Sequence, residues 1–358
     1  MQYVDELMGL ETNFDIIHRV IRLGDTDACM YLIDGFCKDE LMQKILQYLM
    51  DLKAEDFPKD AHEMSKIAIP YVEVDLDDTW EKILGALLSG VFVLLLDGYE
   101  KAVLIDARTY PARGVEEPDK DKVLRGSKDG FVETVVFNTA LIRRRIRSTD
   151  LHMEMLNAGE NSRTDIVLCY MESRVDPKLL TQIRERIRSI QVDALAMNQE
   201  SLAECLYQRK WYNPFPKFKY TERPDTAAAQ VLEGNLVILV DNSPSAMILP
   251  TTIFDVVEEA DDYYFPPVTG TYLRLTRFLI ALLTYFVTPT YLLLMNHRMW
   301  IPENLEFIIL KEDPNVPLIL QFLLLELAID GLRLAAVNTP NMLSTPLSVM
   351  AALVLEGI

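Results

Sequence analysis

A chain of 358 residues is long enough for two or three domains, and its hydrophobic fraction of 50% stands beside a net charge of −19. The two are compatible only because they are segregated, with the acids crowding the first 265 positions and the apolar residues the remainder. An acidic chain lacks the basic face that phosphate binding needs, which excludes nucleic acid as the main partner.

The 4 cysteines, Cys29, Cys37, Cys169 and Cys205, have no CxxC spacing and fit structural thiols in a reducing compartment. The first 25 residues carry acids and no long apolar run, so no signal peptide is read there, and the soluble front is expected in the cytoplasm.

Residues 1–65 read as helical, with Leu41, Ile45, Leu46 and Leu49 at helix spacing. A strand is expected from Ile67 to Val74, then an amphipathic helix from Trp80 to Leu88 ending at Gly90. Two apolar runs, Val91–Leu96 and Ala102–Ile105, flank Asp97-Gly98 and predict a hairpin.

This arrangement returns 144 positions later, where Leu232-Glu233-Gly234 leads into Leu236–Val240, Asp241-Asn242 and Ala246–Leu249. The repeat predicts two related α/β units, placed at 1–160 and 161–265, ahead of a helical membrane domain at 266–358. Between the units, Gly130–Arg147 is expected to be a helix ending in Arg143, Arg144 and Arg145. These cations suit a helix C-terminus, or a contact with another subunit or with lipid headgroups. Asp165–Tyr170 reads as a strand and Pro177–Ile190 as a helix.

Phe278–Met295 holds 18 residues without a charge, enough with Tyr272 and Leu273 to cross about 30 Å of hydrocarbon, with Pro289 as a kink. Arg274 and Arg277 at its front edge place the soluble region on the cytoplasmic side. A second apolar segment, Val316–Val337, contains Glu326, Asp330 and Arg333 at spacings that put them on one helix face. That face must look into protein or water, as an ion or proton path, a gating contact or a structural ion pair. A third run from near Leu347 reaches Ile358 in about 12 residues, too few to span, so the polytopic membrane domain is expected to be truncated at the C-terminus.

No catalytic pattern is present. Gly126–Gly130 lacks P-loop spacing, there is no GxGxxG, GxSxG or HExxH, and His18, His62, His152 and His297 are scattered. The expectation is a non-enzyme without metal or cofactor.

A series of short motifs resembles the GerA spore-germination family, the A-type subunits of spore germinant receptors. They are Arg113-Gly114-Val115 with Glu117-Pro118, Gly130-Phe131-Val132-Glu133, and Asn138 with Leu141–Ile146. They continue with Thr221-Glu222-Arg223-Pro224-Asp225, Leu232-Glu233-Gly234, Val240-Asp241, Pro250, and Asp261–Tyr264 leading to Leu273-Arg274. Order and spacing match from about residue 60 onward.

The resemblance implies a multi-pass protein of the inner spore membrane with cytoplasmic α/β subdomains. It also implies homo-oligomers that conduct ions, and partners among other spore membrane germination proteins. Receptor subunits more often carry a second Glu where this chain has Asp330, a departure that argues against germinant binding by this chain itself. The implied function is ion release or germination signalling. The alternative is a membrane-anchored scaffold that docks other germination proteins.

Overall fold

The first hairpin turns on Gly24-Asp25, a two-residue loop between Leu23 and Thr26, which face each other across the ladder. Gly24 adopts φ +57°, the backbone a tight hairpin demands at its first central residue. The structure, a computed structural model, describes residues 2–37, 39–109, 127–207, 213, 215–252, 254–255, 265–309 and 316–337.

The helical reading of residues 1–65 fails for this stretch. Helix α1 (Gln2–Leu7) is followed by strands β1 (Ile16–Leu23) and β2 (Thr26–Ile33), and helix α2 (Asp39–Met50) comes only then. The β-branched run Ile16, Ile17, Val20, Ile21, joined to turn chemistry, favours strand over helix.

The strand expected at Ile67–Val74 is also displaced. Asp60 accepts from Glu63 N and caps α3 (Ala61–Ile67), while the Glu63 carboxylate takes Lys59 N at 2.8 Å. The helix therefore carries the chain to Ile67, and Pro70, which cannot donate to a ladder, delays pairing until β3 (Val74–Asp77). Helix α4 (Trp80–Leu88) and the hairpin of β4 (Phe92–Leu96) and β5 (Ala102–Ile105) form where expected.

The second unit comprises α5 (Val135–Arg145), β6 (Leu151–Ala158), β7 (Thr164–Met171), α6 (Pro177–Arg188), α7 (Gln199–Leu206), β8 (Lys219–Thr221), α8 (Pro224–Glu233), β9 (Leu236–Val240) and β10 (Ala246–Leu249). Its sheet starts at Leu151, ahead of the boundary expected at 160, because that boundary would cut the β6–β7 hairpin at Ala158↔Thr164.

The sheets run β1-β2-β4-β5-β3 and β6-β7-β9-β10-β8, the same order position for position, and every neighbouring pair is antiparallel. The likeness reaches single bonds. Gly90 and Gly234 both adopt φ +98°. Asp97 N donates to Asp27 O at 2.9 Å, and Asp241 N donates to Asp165 O at 2.9 Å. The duplication is thus a whole subdomain, where the sequence revealed only a helix and a hairpin.

Each sheet buries both faces. In the first, Ile21, Met30, Leu94 and Val103 pack under α2 and α3, while Tyr31, Val93 and Leu104 pack under α1 and α4. In the second, Leu168, Ile238 and Met247 lie under α6 and α7, and Val167, Val237 and Ile248 under α5 and α8. Met1–Arg274 forms one compact unit. Residues 1–265 expressed alone are therefore expected to be soluble, to show mixed helix and strand by circular dichroism, and to melt cooperatively. Aggregation without a transition would contradict the two-core architecture.

Two further helices follow in the chain, α9 (Pro267–Asn296), whose first residues belong to this unit, and α10 (Leu318–Val337). Among the described residues α9 is the one helix long and apolar enough to cross a membrane, and none of its apolar window is buried. Its 30 residues give about 45 Å of helix. Leu275, Ile280, Tyr285 and Phe286 stand in the open, which a water-soluble core helix would not show. Tyr291 meets Phe322 edge-on at 6.0 Å between ring centroids, so α9 and α10 touch.

Candidate functional site

Helices α5 and α8 pack together on one face of the second sheet. Thr134 makes no side-chain cap for α5. Instead the Asp241 carboxylate, from the β9–β10 turn, accepts from Val135 N at 3.1 Å. The loop before α5 is tied down by Asn138, whose Oδ1 accepts from Val132 N at 2.8 Å and whose Nδ2 donates to Val132 O at 2.6 Å. Phe131 N then donates to Glu222 O at 2.9 Å. Four motif segments scattered along the sequence thus converge on one joint.

Arg223 is fully buried at the start of α8. Its Nε and Nη2 donate to the Asp225 carboxylate at 3.1 and 2.6 Å, and Nη2 also reaches Ser127 O at 2.7 Å. Pro224 occupies the first turn, where its missing N–H costs nothing, and Asp225 adds a favourable charge at the helix N-terminus. Gly234 ends α8 in the left-handed conformation against the Arg174 backbone.

The arginine run at the end of α5 splits three ways. Arg143 is fully buried, so it is not available to another subunit or to lipid headgroups. It binds Asp15 of the first unit in a two-pronged ion pair, Nε–Oδ2 2.7 Å and Nη2–Oδ1 2.9 Å, and Nη1 donates to Leu151 O at 3.0 Å. Beside it, Asn13 Oδ1 accepts from Met153 N at 2.7 Å and Phe14 N donates to Met153 O. Arg143 is therefore a clasp between the two units, and the three arginines are not one surface patch. The reason is local: α5 is the connection between the sheets, so one side of its last turn faces the other subdomain.

Arg144 is exposed. Arg145 is half-buried, donating to Leu141 O at 2.8 Å and pairing with Asp129, which also takes the Ser127 hydroxyl. Burial works to raise the Asp129 carboxyl, but the hydrogen bonds from Arg145 and Ser127 outweigh it and hold it below its ordinary range. Ser127, Asp129, Arg144, Arg145, Arg147 and Asp225 line an open cleft of about 590 Å3.

A depressed folded pKa contributes stability that is fully present above the unfolded value of about 3.9 and is lost as pH falls through the folded value. Asp129→Asn is thus expected to lower the urea midpoint at about pH 7, with the deficit shrinking as pH falls below the ordinary carboxylate value. A deficit that persists unchanged however far the pH is lowered would show that the Arg145–Asp129 pair does not carry it.

Glu326 and Asp330 are exposed on α10, one turn apart. Arg333 lies in the same helix, its side chain outside the described ones, and Arg113 and Gly114 lie outside the described residues altogether. Sequence reading missed Asp15, Ser127 and Asp129 as partners. Asp15 is 128 positions from Arg143, and one acid among many carries no spacing signal.

Two antiparallel units of identical strand order, locked at a buried Arg–Asp clasp and followed by a long exposed apolar helix, define a tandem α/β module joined to hydrophobic helices. The chain belongs to the family described as Bacillus/Clostridium GerA spore germination protein, which matches residues 2–357. It is therefore a spore germination and sporulation protein.

It is 38% identical to stage V sporulation protein AF of Bacillus subtilis (strain 168), over 100% of this chain and 72% of that protein. It is 30% identical to the uncharacterized membrane protein YfkQ of the same organism, over 95% of this chain and 67% of that one. The crystal structure of the N-terminal domain of the A subunit of the Bacillus megaterium spore germinant receptor GerK3 superposes with a TM-score of 0.54 at 27% identity, covering 70% of this chain and 93% of that chain. The expected family resemblance is met.

Proposed function

We propose that this chain is a subunit of a homo-oligomeric assembly in the inner spore membrane that contributes to ion release or germination signalling. Its tandem α/β module lies on the cytoplasmic side and its apolar helices lie in the bilayer. The observation that carries this reading is α10, an apolar helix whose Glu326 and Asp330 are exposed in the single chain. A carboxylate facing lipid at mid-bilayer costs about 3 kcal/mol on insertion scales. The face must therefore be met by water in a path or by another subunit. Supporting it are the open apolar surface of α9 and a relative described as a membrane protein. Another relative is a subunit of a germinant receptor, which supports assembly with other germination proteins.

The test is Glu326→Gln in the protein reconstituted into liposomes. Altered ion flux at normal abundance supports an ion path. Reduced abundance in both Glu326→Gln and Arg333→Gln, partly recovered in the double variant, indicates a structural ion pair. Normal flux with normal abundance refutes both. Wild-type protein that inserts but carries no flux favours the scaffold alternative.

A further inference from the structure

The two edges of the first sheet are β1 and β3, with β2, β4 and β5 between them. Among the described residues neither outer edge is paired to another strand. At about 4.8 Å per strand they stand roughly 19 Å apart, so they cannot meet within one copy.

Their chemistry is opposite. Strand β1 contains His18, Arg19 and Arg22 and no acid, in a chain whose net charge is −19. The β3 edge carries Glu73, Asp75, Asp77 and Asp78, of which Asp77 is already paired with Lys82 of α4 at 3.1 Å. Register places His18 and Arg22 on one face with Glu73, Asp75 and Asp77, while Arg19, opposite Met30, lies on the other face. His18 and Val20 pair with Tyr31 and Cys29, while Asp75 and Asp77 pair with Leu104 and Ala102. All four partners belong to the core under α1 and α4. Along that face β1 reads His18, Val20, Arg22 and β3 reads Glu73, Asp75, Asp77, both at the two-residue spacing of a strand. Each edge also holds apolar surface, with Val20 58% and Val72 96% exposed.

The second subdomain serves as an internal control. Its equivalent edge strand, β6, has one exposed position of eight, whereas β1 has five. Strand β6 is covered because Arg184 of α6 holds Glu154 at 2.8 Å and the Asn13–Phe14 loop takes the Met153 backbone. The fold can therefore cover this strand, and in the first subdomain it leaves it open. Open edges invite pairing unless it is intended.

We propose that the β1 edge of one copy docks against the β3 edge of the next, extending the first sheet from subunit to subunit. This rests on the homo-oligomer reading above and names its interface. Such a contact is head-to-tail, using different surfaces on each copy, and closes into a ring where the rotation permits. Backbone bonds supply attraction and opposite-charge cross-strand pairs set the register.

The experiment is the mass of the protein in detergent by light scattering across a dilution series. His18→Glu/Arg22→Glu puts acid against acid, and Glu73→Lys/Asp75→Lys puts base against base. Each is expected to raise the apparent dissociation constant about tenfold or more. Combining all four substitutions in one chain restores the complementarity and should recover the oligomer. The melting temperature, which these exposed changes should leave in place, shows that each variant is folded. A wild-type oligomer unaffected by either reversal, or a fourfold variant that stays dissociated, overturns the edge pairing and leaves the oligomer reading standing. A wild-type monomer at every concentration overturns both.

Discussion

Arg143→Met is expected to lower the stability of the α/β module by about 3–5 kcal/mol, because it strands the Asp15 carboxylate in a site with no water. Both side chains are almost entirely buried, at 0% and 2% exposure. The guanidinium is held on both its edges, by the carboxylate and by Leu151 O. At roughly 2–4 °C per kcal/mol for a module of this size, the melting temperature should fall by about 6–20 °C.

Asp15→Leu should cost a similar amount, since it leaves the cation unpaired. The double variant should recover much of the loss, because two apolar groups of similar volume ask for no partner. Urea unfolding of the two single variants and the double variant measures the coupling directly. Strictly additive losses would show that the pair is not a unit. Arg144→Glu is the contrast: the next side chain along is exposed, and its reversal should stay within about 0.5 kcal/mol.

Gly90→Ala and Gly234→Ala should each cost roughly 2–5 kcal/mol, from two sources that can be separated. A residue with a Cβ in the left-handed region pays about 1–2 kcal/mol, and overpacking adds about 1–3 kcal/mol. At Gly90 the new Cβ would lie 2.3 Å from Cδ2 of Phe36, a fully buried ring. At Gly234 it would lie 2.9 Å from the Arg174 backbone oxygen, which cannot rotate away. Gly98 isolates the first source, with φ +79° and nothing within 4 Å. Gly98→Ala should therefore lose only the conformational part. Equal losses at all three positions in urea midpoints would refute the close approaches at the helix–strand corners.

These glycines were legible because their demand is local. A helix, a left-handed stop and an apolar strand follow one another within ten residues, and the pattern recurs at Gly234. The β4–β5 and β9–β10 hairpins, α4, α6 and the apolar run of α9 were readable for the same reason. Period and turn residues are short-range properties. The first hairpin was missed although Gly24-Asp25 carries a turn signal, because its strand β1 is exposed at most positions and has no alternation to read.

The sequence by itself determined the segregation of charge from apolar length, the duplicated helix–strand–strand pattern and the motifs that place the chain in its family. Tertiary structure alone decided which charges are joints. Arg143, Arg144 and Arg145 are three identical residues in a row, yet one is buried against Asp15, one is exposed and one is paired with Asp129. Successive residues on a helix point about 100° apart. What each meets depends on which subdomain packs there, and that is set by contacts more than a hundred positions away.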